Sequence, residues 1–338
     1  MEYRVNIDLA NTTKAELASV IDGKDDRILN RVGAFSSLFL LDVNKHREPV
    51  LVLKTEEPGS KQVLAFQHDR IESVCFDMIN HLINDCIVMG AEPLAVQDLV
   101  ICGKLEKPVV TRVVSAIAAA CQAQGCVLTG GETTEQPDIV PEKTYILGSS
   151  VVGVVERDKI IDGSKIIPGD VVIAIGSSGP HTNGYTLIRD LLAKNPALAN
   201  EPVGLTTFID AVLEPHKCYY NSVKGLFDHH LLGMAHITGG GIKENLNRIL
   251  PKNVDASIDL EKYQVPEVFK VIQKASNGSL DSMLRTFNMG VGLTLVSRPE
   301  MVQPVLEHLK ACGEQAYVIG NIIPGSGKVQ CHGTLFME

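Results

Sequence analysis

IGSSGPHTNGY, residues 175–185, is the stretch that decides the fold of the second half of this chain. It follows the β-branched run 171–175 and precedes apolar residues at helical spacing in 187–192. A strand that passes through glycines and hydroxyl residues into a helix presents backbone N–H groups and the positive end of the helix dipole to an anion. His181 and Asn183 add side chains that can donate hydrogen bonds or protons. The stretch therefore predicts a strand–loop–helix unit that binds an anion, with His181 as the acid–base candidate.

Two further glycine-rich loops strengthen this prediction. Residues 238–241 (TGGG) lie between a strand-like run and a helical segment, and residues 129–133 (TGGET) follow the apolar run 126–128. A single loop of this kind is better explained by an ordinary turn, but three in one chain indicate a phosphorylated substrate. His236 precedes the second loop and is expected to be a structural residue of a strand. The residues expected to bind the substrate are Ser177, Ser178, Gly179, His181, Asn183, Thr238, Gly239, Gly240 and Gly241.

Length and composition narrow the class of protein. With 338 residues the chain is long enough for two domains, and 45% hydrophobic with 21% charged residues is typical of a soluble globular protein. No apolar run is long enough to span a membrane, and the N-terminal segment lacks the features of a signal peptide. The net charge of -9 argues against general nucleic-acid binding. We therefore expect a cytoplasmic protein whose partner is a small molecule, and neither a nucleic acid nor a membrane.

The eight cysteines are scattered along the chain, and none forms a Cys-x-x-Cys pair. Several of them, such as Cys75 and Cys86, lie in apolar patterns. We expect buried, reduced thiols in a reducing compartment and no zinc site.

Strand and helix patterns alternate along the chain, which predicts an α/β or α+β protein. The turn-like residues 167–170 place a domain boundary there, so the expected domains are 1–165 and 166–338. Residues 1–48 show weak periodicity. Strands are expected at 50–53, 63–66, 94–102, 126–129, 145–155, 171–176, 233–237, 289–296 and 315–323. Helices are expected at 69–89, 109–123, 183–193, 216–228, 242–249, 266–275 and 299–312.

The helix pattern at 69–89 carries a polar stripe opposite its apolar face. The members of the stripe are Asp77, His81, Asn84 and Asp85. The simplest interpretation is a face exposed to solvent. The alternative is a site for a hard cation, because Mg²⁺ takes carboxylate and phosphate oxygens as ligands. Asp98 and Glu132, at or just after predicted strands, favour the alternative.

The segment KTEEPGSK, residues 54–61, lies between the first two predicted strands. A hydroxyl and a lysine after a glycine are typical of phosphate-binding loops, but the spacing does not fit the pattern Gly-x-x-x-x-Gly-Lys-Ser/Thr. An exposed, charged hairpin explains the segment equally well.

Several long motifs together resemble those of the phosphoribosylformylglycinamidine cyclo-ligase family, also called aminoimidazole ribonucleotide (AIR) synthetases. They are REPVLV (47–52), INDCIVMGAEPL (83–94), GKL (103–105), LTGGET (128–133), DGSKIIPGDVVIAIGSSGPHTNGYTLIR (162–189), HITGGGIKENLNRILP (236–251), PEVF (266–269) and RTFNMGVGLTLV (285–296). The resemblance implies a two-domain α/β fold. The N-terminal sheets of two subunits would form a barrel, and the C-terminal domain would be an α/β sandwich.

The resemblance also implies an enzyme of purine biosynthesis that cyclises formylglycinamidine ribonucleotide to AIR with release of ADP and phosphate. ATP and Mg²⁺ are expected in the N-terminal domain. The residues expected to bind ATP are Glu56, Gly59, Ser60, Lys61, Asp77, Asn84, Gly130, Gly131 and Glu132. Those expected to bind the metal ion are Glu56, Asp77, Asp85 and Asp98. A homodimer is expected, because the strand-rich N-terminal half would leave one apolar sheet face without cover.

The segment 54–61 departs from the family pattern Thr-Asp-Gly-Val-Gly-Thr-Lys, because Glu56 replaces the aspartate and Glu57 replaces a glycine. The N-terminal Ser-Tyr-x-x-Ala-Gly-Val-Asp segment is missing, a glycine-rich stretch has shrunk to residues 32–36, and no acidic residue follows Tyr145. All these departures lie in the nucleotide half. Two alternatives therefore stay open: a kinase or dikinase of the same superfamily, and a paralogue that binds a ribonucleotide or a partner chain without turnover.

Overall fold

The computed structural model describes residues 7–21, 25–228 and 230–337. The chain divides into two compact units, one formed by Met1–Ile87 with Ala91–Asp158 and the other by Val88–Gly90 with Lys159–Glu338. The division expected at 165/166 therefore falls inside the second unit. Within the described residues, no helix is long and apolar enough to cross a membrane.

In the described residues, the first unit contains a four-stranded sheet and four α-helices. The strands are β1 (Pro49–Glu56), β2 (Glu92–Cys102), β3 (Val127–Glu135) and β4 (Tyr145–Glu156). The helices are α1 (Ile7–Ile21), α2 (Lys61–Gln67), α3 (Ile71–Ile87) and α4 (Lys107–Ala123). The sheet order is β1-β4-β2-β3, in which β2 and β3 pair in parallel and the other neighbours are antiparallel.

Helix α3 contributes much of the core of the first unit. Its apolar residues recur at steps of three and four, which puts them on one face of the helix. Val74, Met78 and Leu82 on this face are fully buried. The helix predicted at 69–89 is thus confirmed, and Gly90, with a φ of 79°, lies beyond its end in the left-handed conformation that commonly follows a helix.

One face of the first sheet carries exposed apolar side chains. Along β1 the burial alternates, and Leu51 and Leu53 are 54% and 71% exposed. The register places Leu53 opposite Val152 of β4, which is also exposed. Leu99 of β2 and Ile146 of β4 extend the same face. An apolar sheet face of this kind is stable when another layer packs against it.

The second unit contains a six-stranded sheet and a separate two-stranded pair. Its strands are β5 (Val171–Gly176), β6 (Pro202–Val203), β7 (Thr206–Thr207), β8 (Gly233–His236), β9 (Val254–Asp259), β10 (Val291–Ser297), β11 (Ala316–Pro324) and β12 (Val329–His332). Its helices are α5 (Tyr185–Lys194), α6 (Phe208–Val212), α7 (Tyr220–Val223), α8 (Gly241–Leu246), α9 (Glu267–Ser276), α10 (Leu280–Thr286) and α11 (Val302–Ala311). The order of the large sheet is β12-β9-β11-β5-β10-β8, with β12 and β9 parallel and the other neighbours antiparallel.

The α/β class and the two-unit organisation are confirmed, but two local predictions are wrong. Residues 63–66 belong to helix α2 and not to a strand. An apolar run of four residues fits a strand and a buried helical turn equally well, and Gly59, with a φ of 66°, turns the chain just before α2. Residues 129–133 are not a loop but part of β3, which pairs in parallel with β2; the register shifts after Leu128, and Gly130 at this irregularity has a φ of 131°.

Candidate active site

The loop between β5 and α5 contains the first group of predicted site residues, and its backbone bends sharply. Gly179 has a φ of 138° and His181 a φ of 59°, which is uncommon for a residue that carries a Cβ. Asn288 holds this bend, because its Nδ2 donates to Gly179 O at 2.9 Å and its Oδ1 accepts from Gly290 N at 2.9 Å. A side chain outside the loop therefore helps to fix the position of His181.

His181 belongs to a cluster of three buried histidines. Its ring stacks on that of His216, with ring centroids 3.9 Å apart and an interplanar angle of 20°. His216 Nε2 in turn lies 2.9 Å from His236 Nε2. The sequence analysis missed His216, since no local motif or spacing connects it with the other two. The expectation that His236 is a structural strand residue accounts for its place at the end of β8, but not for its contact with His216.

The cluster is suited to holding and moving a proton. Two nitrogens 2.9 Å apart form a hydrogen bond only if one ring donates and the other accepts. Thr182 Oγ1 lies 3.4 Å from Nδ1 of His216, and Ser178 N donates to His181 Nε2 at 3.3 Å. Imidazole nitrogens are common zinc ligands, but these contacts already engage both nitrogens of His216 and one nitrogen each of His181 and His236. The cluster therefore offers a hydrogen-bonded chain from Thr182 through His216 to His236.

The loop of residues 238–241, between β8 and α8, lies next to the first loop. A Cβ built on Gly239 would be 3.3 Å from Asn183 Oδ1. Asn245 Nδ2 donates to the carbonyl oxygens of Gly239 and Gly241 at 3.1 and 2.8 Å. The structure thus brings Asn183 and the second glycine loop together, and Asn245 holds that loop in shape.

Several backbone N–H groups that were expected to bind the substrate phosphate donate instead within the protein. They are the N–H groups of Ser177, Ser178, Gly240 and Gly241. The N–H groups of Gly179 and Gly239 are not among these donors. A phosphate in this arrangement would therefore meet fewer N–H donors than the sequence of the two loops indicates.

In the first unit, three carboxylates that were expected to bind a metal ion lie beside lysine side chains. Lys54 Nζ is 3.0 Å from Glu56 Oε2 and 2.9 Å from Asp85 Oδ2. Lys61 Nζ is 2.8 Å from Asp77 Oδ1, and both of these side chains are fully buried. The contact between Lys61 and the phosphates of ATP stays a prediction, and it requires the fully buried Lys61 side chain to become accessible.

The polar stripe of α3 is largely buried, so its interpretation as a solvent-exposed face is wrong. Asp77 and Asn84 are fully buried and His81 is 8% exposed, while Asp85 is half-buried. Strand β1 and helix α2 lie along this face of α3 and supply the two lysines. Helical periodicity shows which residues share a face, but not which other element covers that face.

The segment after β1 forms a compact turn that leads into α2, and it is not a hairpin between two strands. Glu57 is exposed, and its Oε2 accepts a hydrogen bond from Gly59 N at 2.8 Å. Ser60 occupies the N-cap position of α2. The glutamate that departs from the family pattern therefore contributes a hydrogen bond to the turn.

A cavity of about 650 Å³ in the first unit collects the other residues expected to bind ATP or the metal ion. Among its lining residues are Lys14, Arg31, Asp98, Gly130, Gly131 and Glu132. A Cβ on Gly131 would be 2.1 Å from the Asp98 carbonyl oxygen, so glycine is needed for this close approach. Burial raises the pKa of Asp98 to about 7, and the charge of Glu132 adds to the rise.

Comparison with known proteins relates this geometry to a family. The family model for the N-terminal domain of AIR synthase related protein matches residues 40–155. The model for its C-terminal domain matches residues 168–332. The phosphoribosylformylglycinamidine cyclo-ligase of Chromobacterium violaceum is 41% identical over 297 residues, which are 87% of this chain and 86% of that protein. The chain belongs to the phosphoribosylformylglycinamidine cyclo-ligase family.

Other cyclo-ligases match over almost the whole chain. The cyclo-ligase of Trichlorobacter lovleyi is 39% identical over 326 residues, 95% of this chain and 93% of that protein. The cyclo-ligase of Thermoanaerobacter pseudethanolicus is 38% identical over 337 residues, 97% of this chain and 99% of that protein. The family resemblance seen in the sequence motifs is thus confirmed.

Solved structures of other proteins share the fold with this cyclo-ligase family member at low sequence identity. E. coli HypE, a hydrogenase maturation protein, gives a TM-score of 0.67 at 15% identity and covers 98% of both chains. Thiamine-monophosphate kinase from Stenotrophomonas maltophilia gives a TM-score of 0.67 at 16% identity and covers 97% of this chain and 96% of that chain. Identities this low show the fold alone, so they do not favour the kinase or dikinase alternative.

Proposed function

We propose that this chain is an ATP-dependent cyclo-ligase that converts formylglycinamidine ribonucleotide into 5-aminoimidazole ribonucleotide, ADP and phosphate, a step of purine biosynthesis. The observation that carries the proposal is the 41% identity to a cyclo-ligase over 87% of the chain. The substrate is a small ribonucleotide. The eight free thiols support a location in the reducing cytoplasm.

The reaction replaces a poor leaving group by a good one. The formyl oxygen attacks the γ-phosphorus of ATP, ADP leaves, and the formamide nitrogen loses its proton as the C=N bond of an iminophosphate forms. An amidine nitrogen then attacks the same carbon, and the C–O bond breaks with release of phosphate. This nitrogen loses a proton as the five-membered ring closes, and transfer of a proton from the ring methylene carbon to the exocyclic nitrogen completes the aminoimidazole, so a base within hydrogen-bond reach assists the reaction.

In the second unit, His181 and Asn183 are proposed to contact the reacting part of the substrate, with His181 as the acid–base group. The position of Gly239, where an added Cβ would lie 3.3 Å from Asn183 Oδ1, supports a common site for the two loops. Thr238, Gly239 and Gly240 are proposed to hold the phosphate of the ribonucleotide. The Gly239 N–H is the donor that this proposal depends on most, because the Gly240 N–H donates to Arg285 O.

In the first unit, ATP is proposed to bind in the cavity that contains Asp98, Gly130, Gly131 and Glu132. Its volume of about 650 Å³ suits a nucleotide, and the lining residues Lys14 and Arg31 supply positive charge for phosphates.

A Mg²⁺ ion that accompanies ATP fits Asp98 and Glu132. Burial, with a smaller contribution from the charge of Glu132, raises the pKa of Asp98 to about 7. A bound cation favours the ionised form of such a carboxylate. Bound there, the ion would neutralise phosphate charge. Glu56, Asp77 and Asp85 do not fit a metal ion in the observed arrangement, because lysine side chains contact their oxygens.

The proposal is tested by incubating the purified chain with formylglycinamidine ribonucleotide and Mg·ATP and measuring AIR and ADP. A purine-requiring strain that lacks its own cyclo-ligase should also be rescued by this chain. We expect His181→Ala to reduce the rate of cyclisation by about a hundredfold at saturating substrate, while the exposed control His332→Ala retains it. A full rate in His181→Ala would remove the catalytic assignment of His181 but not the function.

One observation favours a second candidate, a paralogue that binds its ligands without turnover. Lys61, which was expected on the ATP phosphates, is fully buried against Asp77. Calorimetric titration with Mg·ATP separates the two candidates when it is combined with the activity assay. Binding of the substrate ribonucleotide without ATP binding and without AIR formation would establish the paralogue.

We also propose that the chain forms a C₂ homodimer through the first sheet. The exposed apolar side chains of β1, β2 and β4 lie on one face, with Leu53 and Val152 directly opposite each other. A symmetric pair of such faces buries both at once. The two sheets would then close into the barrel that the family resemblance implies.

A further inference from the structure

Lys54 has no role in the proposed reaction, yet it contacts two residues that were expected to bind Mg²⁺. It lies on β1 two residues before Glu56, and side chains at this spacing point to the same face of a strand. Asp85 reaches the same place from α3. Strand alternation and the position of α3 thus bring one ammonium group between two carboxylates.

The ammonium group lies at hydrogen-bond distance from both carboxylates. Lys54 Nζ is 3.0 Å from Glu56 Oε2 and 2.9 Å from Asp85 Oδ2, which are distances of charge-assisted hydrogen bonds. His81 Nε2 lies 3.6 and 3.8 Å from the same two oxygens. The side chains of Glu56 and Asp85 are only 20% and 22% exposed, so water screens these charges less than on an open surface.

A divalent ion on these oxygens would compete directly with the lysine. Mg²⁺ binds carboxylate oxygens at about 2.0–2.1 Å, so the ion would lie within a few ångströms of the Lys54 ammonium, and the two like charges would repel. The other acid of the same helix face, Asp77, is paired with Lys61 at 2.8 Å.

We propose that Lys54 is a resident cation of the Glu56–Asp85 pair and takes the place of a divalent ion there. The ammonium group of Lys54 neutralises the charge of the two carboxylates, so this pair is not a site for Mg²⁺. This inference concerns free divalent ions, so it holds or fails independently of ATP turnover.

The test is a titration of the full-length chain with Mn²⁺ in the absence of nucleotide, with free Mn²⁺ followed by its EPR signal at pH 7. Lys54→Met keeps the length of the apolar stem and removes the charge. We expect the variant to gain a Mn²⁺ site whose affinity is roughly tenfold or more above that of the wild-type pair for Mn²⁺, because the repelling positive charge of the lysine is gone. The double variant Lys54→Met/Glu56→Gln should lose the gained site. Lys45→Met, which removes an exposed lysine 3.8 Å from Asp42, is the charge-matched control and should gain nothing.

Absence of a new site in folded Lys54→Met, or a gain of equal size in Lys45→Met, would overturn the proposal. If Lys54→Met does not fold, the same Mn²⁺ titration of the single variant Glu56→Gln tests the proposal. Unchanged Mn²⁺ binding in that variant supports a lysine-occupied pair, and loss of a bound Mn²⁺ overturns it.

Discussion

At the scale of single residues, His216 links two histidines of the candidate site, because it stacks on His181 and lies at hydrogen-bond distance from His236. His216→Phe keeps a ring that can stack on His181 but removes the hydrogen bond to His236. If the proton chain assists the reaction, kcat should fall by about tenfold to a hundredfold with little change in KM, and the pH profile of kcat should shift. Steady-state kinetics measures both, with His332→Phe as an exposed control. A folded variant with wild-type kcat and pH profile would show that His216 only fills space.

Asp98 should make the stability of the first unit depend on pH. Its pKa in the folded chain is about 7, above the ordinary carboxyl value of 3.8. Below a pH of about 4 the group is protonated in both states and costs no stability. As the pH rises from about 4 to 7 the unfolded state loses the proton first, so the free energy of unfolding falls, by at most about 1.4 kcal/mol per pH unit.

Asp98→Asn removes the pH-dependent loss of stability, because the amide does not titrate. We expect the variant to gain stability over the wild type progressively between about pH 4 and 7, and the gain to level off above pH 7. Urea unfolding at a series of pH values measures the difference, and Asp281→Asn at an exposed acid is the control. A difference that does not change with pH would contradict the buried, protonated carboxyl.

At the scale of elements, the junction between β5 and α5 depends on Gly184. Its φ is 79°, and an added Cβ would be 2.1 Å from Cε1 of the buried Phe287. Gly184→Ala therefore combines backbone strain with overpacking and should lower the free energy of unfolding by about 2–4 kcal/mol. Gly169, with a φ of 98° and no atom within 4 Å of the added Cβ, is the matched control. Equal losses in urea unfolding for the two variants would show that the Phe287 ring yields without cost.

The elements that could be predicted are those with a long or strongly biased pattern. Helix α3 has an apolar face that repeats over more than four turns, and β5 is a β-branched run that ends at a glycine loop. Helix α1 and strand β9 were not predicted, because α1 lies in the weakly periodic N-terminal segment and β9 is a short strand with polar residues among its apolar ones. In short segments, packing against neighbouring elements determines the secondary structure more than the local sequence preference for helix or strand does.

At the scale of the whole molecule, the exposed face of the first sheet leads to a prediction about assembly. Light scattering at micromolar concentration should give the mass of a dimer for the wild type. Leu53→Asp combined with Val152→Asp places charges at the centre of the apolar face and should give monomers, because buried unpaired charges are costly. Leu205→Asp, at an exposed leucine of the second unit, is the control and should remain dimeric. A wild-type monomer would contradict the proposal.

The sequence by itself determined the family, the α/β class and the positions of the β5–α5 loop and the 238–241 loop, because each depends on contiguous motifs or on local periodicity. Only the tertiary structure decided which side chains meet: His216 with His236, Lys54 with Asp85, and Lys61 with Asp77. The partners of each pair lie on different elements, so their contacts depend on sheet register and on how helices lie against the strands. Burial was decided in the same way, since a polar helix face is exposed or enclosed according to what packs over it.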